Sequence, residues 1–177
     1  MHLEKIFHIS EVGAIQTFHP RPSPSKFDVI NGDVVFGISD KLLHNYLFPR
    51  DCPRVTYYAG AGTSQFDKEI FLSSQSKYVL AIEAKWLPIL QNTTLFCYEF
   101  NADSFVLLDE CAGYYVSYHQ LNPISVRRVE NPFSELVNNP DIELRILPSL
   151  WSLADSVVKS SLNYSLIRMK NAIPRDL

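Results

Sequence analysis

Short apolar runs recur along nearly the whole chain, and most of them are rich in β-branched or aromatic residues. Each run is only four to seven residues long, which favours strands over helices. The proline-rich stretch P-R-P-S-P-S at residues 20–25 can be neither a helix nor a central strand, because proline lacks the backbone donor. The predicted strands are residues 5–9, 34–38, 54–59, 77–83, 94–100, 105–108, 114–117, 124–129 and 142–147.

The segment after Pro148 has a different pattern. Its apolar residues recur at spacings of three and four, which predicts one amphipathic helix of about five or six turns. This helix would end near Asn171, ahead of Pro174, and its apolar positions are Leu150, Leu153, Ala154, Val157, Val158, Leu162, Leu166 and Met169. Many strands, a few short helices and one long helix predict an α+β fold. We expect a mixed or largely antiparallel sheet, or two small sheets forming a cleft, with the long C-terminal helix packed on it.

Length, charge and cysteine usage limit the function classes. A chain of 177 residues predicts a single globular domain over residues 1–177. The formal net charge of -3 argues against general nucleic-acid binding, which needs a basic face, but it permits a local anion site. Three cysteines without CxxC spacing predict reduced thiols and a cytoplasmic location. Neither a signal peptide nor a membrane span is predicted.

His8 and Ser10 are the first candidate binding residues. If Phe7 and Ile9 face the core, the alternation of a strand puts His8 and Ser10 on the opposite side. A neutral imidazole and a hydroxyl pointing the same way can hold a ribose hydroxyl. The alternative is an ordinary histidine on a half-buried strand.

Two proline-stiffened loops carry the candidate arginines. Arg21 lies between prolines, and Arg50 and Arg54 lie in F-P-R-D-C-P-R, with Tyr46 just before that stretch. A guanidinium suits phosphate or carboxylate, and a rigid loop loses little entropy when a ligand binds. Aromatic residues nearby would suit a planar anion such as a nucleotide. The alternative is a set of solvated surface charges, with Asp51 paired to an arginine.

Cysteine and metal chemistry are weaker alternatives. Cys52 lies between Arg50 and Arg54, which would lower its pKa and make it a candidate nucleophile. No base positioned to activate it can be identified from the sequence. His2, His8, His19 and His44 have no metal-ligand spacing, so no metal site is predicted.

Several segments together resemble a small family of bacterial proteins of unknown function: I-F-H-I-S-E, F-H-P-R-P-S-P-S, Y-L-F-P-R-D-C-P-R-V-T-Y-Y-A-G and L-P-S-L-W-S-L. The resemblance runs along nearly the whole chain and implies no assigned activity. More distantly, the order of elements resembles the ADP-ribosyltransferase-like fold.

The distant resemblance implies that His8 in F-H-I-S holds the ribose of NAD. It also implies that Ser39 or Tyr46, in V-V-F-G-I-S-D-K-L-L-H-N-Y, lies near the nicotinamide. Active members of that fold place a glutamate on the strand aligned with residues 112–117, and this chain has none there. Glu110, in the preceding turn, is therefore only a weak catalytic candidate, and binding without catalysis is the expectation if no carboxylate reaches the site.

The predicted function is binding of an anionic small molecule, a nucleotide or NAD-like compound, by His8, Ser10, Arg21, Tyr46, Arg50 and Arg54. NAD is the possible substrate or ligand, with transferase or NAD-hydrolysing activity left open. The alternatives are a non-catalytic binding domain and a structural or interaction protein of the same fold. No membrane partner is expected, and the oligomeric state is left open.

Overall fold

The computed structural model describes residues 5–23, 27–72 and 75–175. Ten strands and four α-helices are present in this part of the chain, together with short 3-10 helices. The strands are β1 (Lys5–Ser10), β2 (Val35–Ser39), β3 (Arg54–Tyr58), β4 (Tyr78–Glu83), β5 (Leu95–Asn101), β6 (Val106–Asp109), β7 (Tyr114–Ser117), β8 (Ser125–Val129), β9 (Ile142–Leu147) and β10 (Asn163–Ile167). The α-helices are α1 (Gln65–Phe71), α2 (Leu87–Gln91), α3 (Pro132–Val137) and α4 (Trp151–Val158), and the 3-10 helices include Asp40–Tyr46.

The strands form two sheets in two compact units. The six-stranded unit comprises Met1–Tyr46 and Thr94–Glu130, and the four-stranded unit comprises Leu47–Thr93 and Asn131–Leu177. Each unit draws on two separate stretches of chain, so the chain passes between the units three times. The predicted α+β, single-domain class is confirmed. The boundaries of that domain at residues 1 and 177 stay a prediction.

The six-stranded sheet is antiparallel throughout, in the order β6-β7-β2-β1-β5-β8. One of its faces packs a cluster of Ile6, Phe18, Val35, Tyr98, Phe100 and Phe105. Gly37 of β2 allows this packing, because a Cβ there would overlap the Ile6 side chain and crowd the Phe105 ring. Aliphatic and aromatic burial on this face supplies the main stabilising contribution of the unit.

The four-stranded sheet has the order β10-β3-β4-β9, with β4 and β9 parallel and the other pairs antiparallel. Leu150, just before α4, packs with Ala154 and Val157 of α4 into a cluster with Val55, Tyr57, Val79, Ala81 and Leu162. Strands β3 and β4 are buried along almost their whole length, which explains their continuous apolar sequences. Strand β9 covers the predicted residues 142–147, and most of its side chains are half-buried rather than alternately buried and exposed.

The prediction of one long C-terminal helix is wrong. Helix α4 ends at Val158, and residues Asn163–Ile167 instead form β10, which pairs antiparallel with β3 from Asn163↔Tyr58 to Ile167↔Arg54. A spacing of four fits both a helix face and a strand face, so Leu162 and Leu166 could not distinguish the two structures. The consecutive serines Ser160 and Ser161 break the helix, and Ser160 donates its hydroxyl to the Val157 carbonyl. Helix α3, with Asn131 as its cap, has no counterpart among the predicted elements.

Candidate functional site

The six predicted binding residues divide between the two units. His8, Ser10, Arg21 and Tyr46 belong to the six-stranded unit, and Arg50 and Arg54 belong to the four-stranded unit. The predicted convergence of both sets on one cleft stays a prediction. Within each unit, the contacts show what each side chain does.

His8 is a packed side chain on the core face of its sheet. Its Nδ1 lies 2.9 Å from the Phe36 carbonyl oxygen, and its ring meets Phe18 edge to face at 5.0 Å. Ile6 and His8, two residues apart, share a face, and Ile6 is fully buried in the cluster there. The expectation that Phe7 and Ile9 face the core while His8 faces away is therefore wrong. The Ser10 hydroxyl accepts the Val12 amide N–H at 3.0 Å, closing the turn after β1.

Arg21 has a fixed backbone and an exposed side chain. Its amide and carbonyl bond reciprocally with Val34, at 3.0 Å and 2.9 Å, in an isolated antiparallel bridge. Among the described residues its guanidinium has no hydrogen-bond or ion-pair partner. Pro24 and Ser25 of the proline-rich stretch lie outside the described residues.

Tyr46 and His8 are not brought together. The Tyr46 ring packs against Tyr114 at 6.2 Å between centroids. Tyr114 pairs with Ile38 of β2, so these two side chains lie on the same face of the sheet. Gly37, the residue before Ile38, lies on the opposite face, which also carries Ile6 and His8. Glu110 is exposed in the turn between β6 and β7, where its carbonyl accepts the Gly113 amide N–H.

Ser39, the other residue implied near the nicotinamide, is buried at the end of β2. It lies close to Gly113 of the turn before β7, and its amide donates to the Gly113 carbonyl at 2.9 Å. A Cβ on Gly113 would crowd the Ser39 hydroxyl oxygen, so that oxygen lies against the turn. These contacts give Ser39 a structural role in joining β2 to the turn.

His44, in the 3-10 helix Asp40–Tyr46, is expected to make the protein less stable in mild acid. Burial lowers the pKa of its imidazole from 6.5 to about 4. The unfolded chain therefore binds the proton more readily, and stability is full above pH 6.5 and falls toward pH 4. Between pH 8 and pH 5 we expect a loss of about 2 kcal/mol from this group.

Urea unfolding of the wild type and the His44→Gln variant at both pH values measures this loss. The variant should lack most of it, whereas His19→Gln, at an exposed histidine, should behave like the wild type. Equal acid sensitivity in all three proteins would show that His44 is not responsible.

Arg54 is a buried cation at the start of β3. It is 2% exposed, donates from Nη1 to the Cys52 carbonyl at 2.8 Å and stacks on the Phe48 ring at 5.4 Å. The loop before it is stiffened by Pro49 and Pro53, and Arg50 is exposed within that loop. The two predicted arginines therefore differ. The Arg54 side chain is buried and holds the loop through Cys52 and Phe48, whereas the Arg50 side chain is exposed to solvent.

A buried carboxylate lies close to Arg54. Glu83, at the end of β4, is fully buried, and its Oε1 accepts the Ile173 amide N–H at 2.8 Å. Its Oε2 lies 3.3 Å from Lys85 Nζ, an ion pair without hydrogen-bond geometry. The charges of Arg54, Glu83 and Lys85 all act on the Cys52 thiol, so these four side chains form one neighbourhood.

Cys52 is inert in this environment. Burial raises the pKa of its thiol to about 12, although the neighbouring Arg54 cation acts to lower it. The thiol points to the Pro53 carbonyl oxygen at 3.6 Å. A thiol with this pKa carries almost no thiolate at neutral pH, so the interpretation of Cys52 as an activated nucleophile is wrong.

The three cysteines should therefore differ in reactivity. Cys52 and Cys97 are buried and Cys111 is exposed. Iodoacetamide at pH 8 should add one label to the folded protein and three in denaturant, as read by intact mass. Cys111→Ser should abolish the single native label. Fast labelling of Cys52 in the folded protein would contradict the burial of its thiol.

The turn after β10 brings two further cations to the same end of the four-stranded sheet. Because β10 and β4 both run antiparallel to β3, Ile167 and Ile82 lie opposite Arg54. The residues that follow them therefore lie beside the loop that precedes β3. Asn171 joins the two segments directly, since its Nδ2 donates to the Asp51 carbonyl at 2.8 Å. We call the set Arg50, Arg54, Lys85, Arg168 and Lys170 the basic end.

Arg168 is the most unusual residue of the basic end. It has φ 54°, the left-handed conformation that glycine adopts easily, and it is the one non-glycine residue with positive φ in the described part of the chain. Its side chain is half-buried and has no hydrogen-bond or ion-pair partner among the described residues. Strain of this kind is common where a side chain must be held for a ligand.

The sequence analysis did not include Arg168 and Lys170 among the candidate residues. The wrong C-terminal helix put them in its last turn, where basic residues favour the helix dipole and need no other explanation. The alternation of polar and apolar residues in N-Y-S-L, residues 163–166, was the sequence signal that could have indicated a strand. In the structure, exposure alternates along this segment.

No cluster of three histidine, cysteine or carboxylate residues suited to a metal ion occurs in residues 5–23, 27–72 and 75–175. His2 lies outside these ranges. Within the same ranges, no helix has the length and apolar character needed to cross a bilayer.

The architecture defines an α+β protein with one six-stranded and one four-stranded sheet, and with clustered cations at one end of the smaller sheet. The sequence profile of a family of unknown function, DUF6886, matches residues 7–172. The chain belongs to this family, as the closer resemblance predicted. No curated protein and no solved structure matches it, so the distant resemblance to the ADP-ribosyltransferase-like fold has no support.

Proposed function

We propose that this protein binds a phosphate-bearing small molecule, a nucleotide or NAD-like compound, at the basic end of the four-stranded sheet. The observation that carries the proposal is Arg168, a half-buried cation in a left-handed turn with no described partner. A guanidinium offers five donors in a planar fork, which suits a phosphate group.

Charge supports an anionic ligand. The basic end has five cations, and the carboxylates in the same segments are Asp51 and Glu83. Glu83 is already engaged with Ile173 and Lys85. This local excess of positive charge contrasts with the net charge of -3 for the whole chain. The basic end would therefore attract a small anion, whereas the rest of the surface would repel nucleic acid.

Rigidity supports binding with little entropic cost. The Asn171–Asp51 hydrogen bond ties the turn after β10 to the Arg50 loop, and the Glu83–Ile173 hydrogen bond ties the same segment to β4. Trp151 donates its Nε1–H to the Ile173 carbonyl at 2.6 Å, which holds the segment from its other side. Cations on restrained segments lose less conformational freedom on binding than cations on flexible loops.

The proposal concerns binding rather than turnover. Glu110, the weak catalytic candidate, lies in an exposed turn of the six-stranded unit, and Glu83 is fully buried by its two partners. The participation of His8, Ser10, Arg21 and Tyr46, NAD turnover, a cytoplasmic location and a bacterial source stay predictions.

Isothermal titration calorimetry with pyrophosphate, ADP, ADP-ribose and NAD tests the proposal. The Arg168→Gly variant removes the guanidinium but suits the left-handed turn, so it should fold at least as stably as the wild type. We expect its affinity to be about tenfold weaker, the loss of one charge-assisted contact. Lys159→Gln, at an exposed lysine ahead of the opposite end of β10, is the matched control and should bind like the wild type.

Two results would overturn the proposal. One is the absence of binding heat with all four compounds. The other is binding that Arg168→Gly leaves unchanged, which would move the site away from the basic end.

A further inference from the structure

We propose that the two edges of the six-stranded sheet pair with each other between copies of this chain, so that β6 of one copy adds to β8 of the next. The strand order β6-β7-β2-β1-β5-β8 leaves these two strands at opposite edges. An edge strand presents unpaired amide and carbonyl groups along one side, which a second strand can use.

The two edges carry opposite charge. Strand β6 is flanked and ended by Asp103, Asp109 and Glu110, whereas β8 carries Arg127 and Arg128. Glu130, the carboxylate that directly follows β8, lies 3.7 Å from Arg128 with both side chains largely exposed, and such a pair is weak. Formal charge is therefore -3 at the β6 edge and +1 at the β8 edge.

This charge pattern selects the partner. Two β6 edges repel each other, as do two β8 edges, because like charges directly opposite across strands are destabilising. Only β6 against β8 is attractive. Both edges belong to the same chain, so the partner that fits each edge is a second copy.

Both edges also expose apolar side chains. Val106 and Leu107 of β6 are more than half exposed, as are Val126 of β8 and Ile124 just before it. Every neighbouring pair in this sheet is antiparallel, so a copy related by translation would place its β6 antiparallel to β8 and continue the sheet. An alignment with Asp109 opposite Arg128 also brings Glu110, the first residue of the turn after β6, toward Arg127.

The contact is head-to-tail and therefore open, so copies should add in series rather than stop at a dimer. Strand β6 has four residues and a register shift against β7 between Leu107 and Asp109, which keeps each contact short. We expect weak association, with a dissociation constant of about 0.1 mM at low salt.

Sedimentation velocity of the full chain at about 20 mM and about 500 mM salt tests this inference. At low salt the weight-average sedimentation coefficient should rise with protein concentration, and high salt should abolish the rise. Two variants remove the complementarity. Arg127→Glu with Arg128→Glu makes both edges acidic, and Asp103→Lys with Glu110→Lys makes both edges basic.

Each variant alone should stay monomeric at low salt, and an equimolar mixture of the two should associate again, because an acidic edge then meets a basic one. A variant that had merely misfolded could not be restored by mixing. Lys68→Glu with Lys159→Glu, a double charge reversal in the four-stranded unit, should associate like the wild type. A monomeric wild type at low salt, or a mixture that stays monomeric, would overturn the inference.

Discussion

Replacing Leu150 with alanine is expected to lower the free energy of unfolding by about 3 kcal/mol. Leu150 is fully buried where α4 begins, in the cluster that contains Val55, Tyr57 and Val79. The substitution removes the transfer free energy of its methyl groups and leaves a cavity that the two central strands cannot collapse to fill. Urea unfolding at 25 °C, monitored by circular dichroism, measures the change.

The matched control is Val158→Ala, at the end of the same helix. Val158 is 47% exposed, so its truncation should change stability by less than about 0.5 kcal/mol. The long C-terminal helix predicted from the sequence put both residues on its packed face, and it would make both substitutions costly. Equal losses at the two positions would therefore contradict the packing of α4.

Replacing Glu83 with glutamine is expected to cost about 3 kcal/mol. The side chain is isosteric, and the amide oxygen can still accept the Ile173 amide N–H. The negative charge is lost, however, in a neighbourhood that contains the buried guanidinium of Arg54. Removing one member of a buried set of charges leaves the others uncompensated in a low dielectric, which is more costly than the loss of one hydrogen bond.

Lys85→Met separates this effect from the surface ion pair. Lys85 is 47% exposed, so its loss should cost less than about 1 kcal/mol. Thermal and urea unfolding at pH 7 compare the two variants with the wild type. If Glu83→Gln proved as mild as Lys85→Met, the charge of Glu83 would not be compensating Arg54.

Much of the strand content could be predicted from the sequence. Nine apolar runs predicted nine strands, and β1 to β9 lie at those runs. Local patterns sufficed because a strand in a packed sheet requires β-branched or aromatic residues over a short length, and proline or glycine ends it. The end of the chain was ambiguous, since residues spaced by four lie on one face of a helix and also on one face of a strand.

The candidate site could be predicted only in part. The stiff loop with Arg50 and Arg54 could be predicted because it depends only on the types of neighbouring residues, prolines and arginines. Arg168 and Lys170 were missed because their relation to that loop depends on β10 pairing with β3, more than a hundred residues earlier in the chain. The faces of His8 and Tyr46 were likewise unpredictable, since they depend on the register of β1, β2 and β7.

The amino-acid sequence alone was enough to predict the α+β class, the positions of nine strands and the presence of a cationic, proline-stiffened loop. These properties follow from residue type and local spacing. Which segments contact one another could not be predicted in this way. In the folded chain Cys52 and Glu83 are buried near Arg54, residues 163–167 form a strand, and the turn that contains Arg168 is bonded to the Arg50 loop through Asn171. Contacts of this kind depend on long-range strand register and on burial, because the partners and the pKa of a side chain are set by neighbours that are distant in sequence.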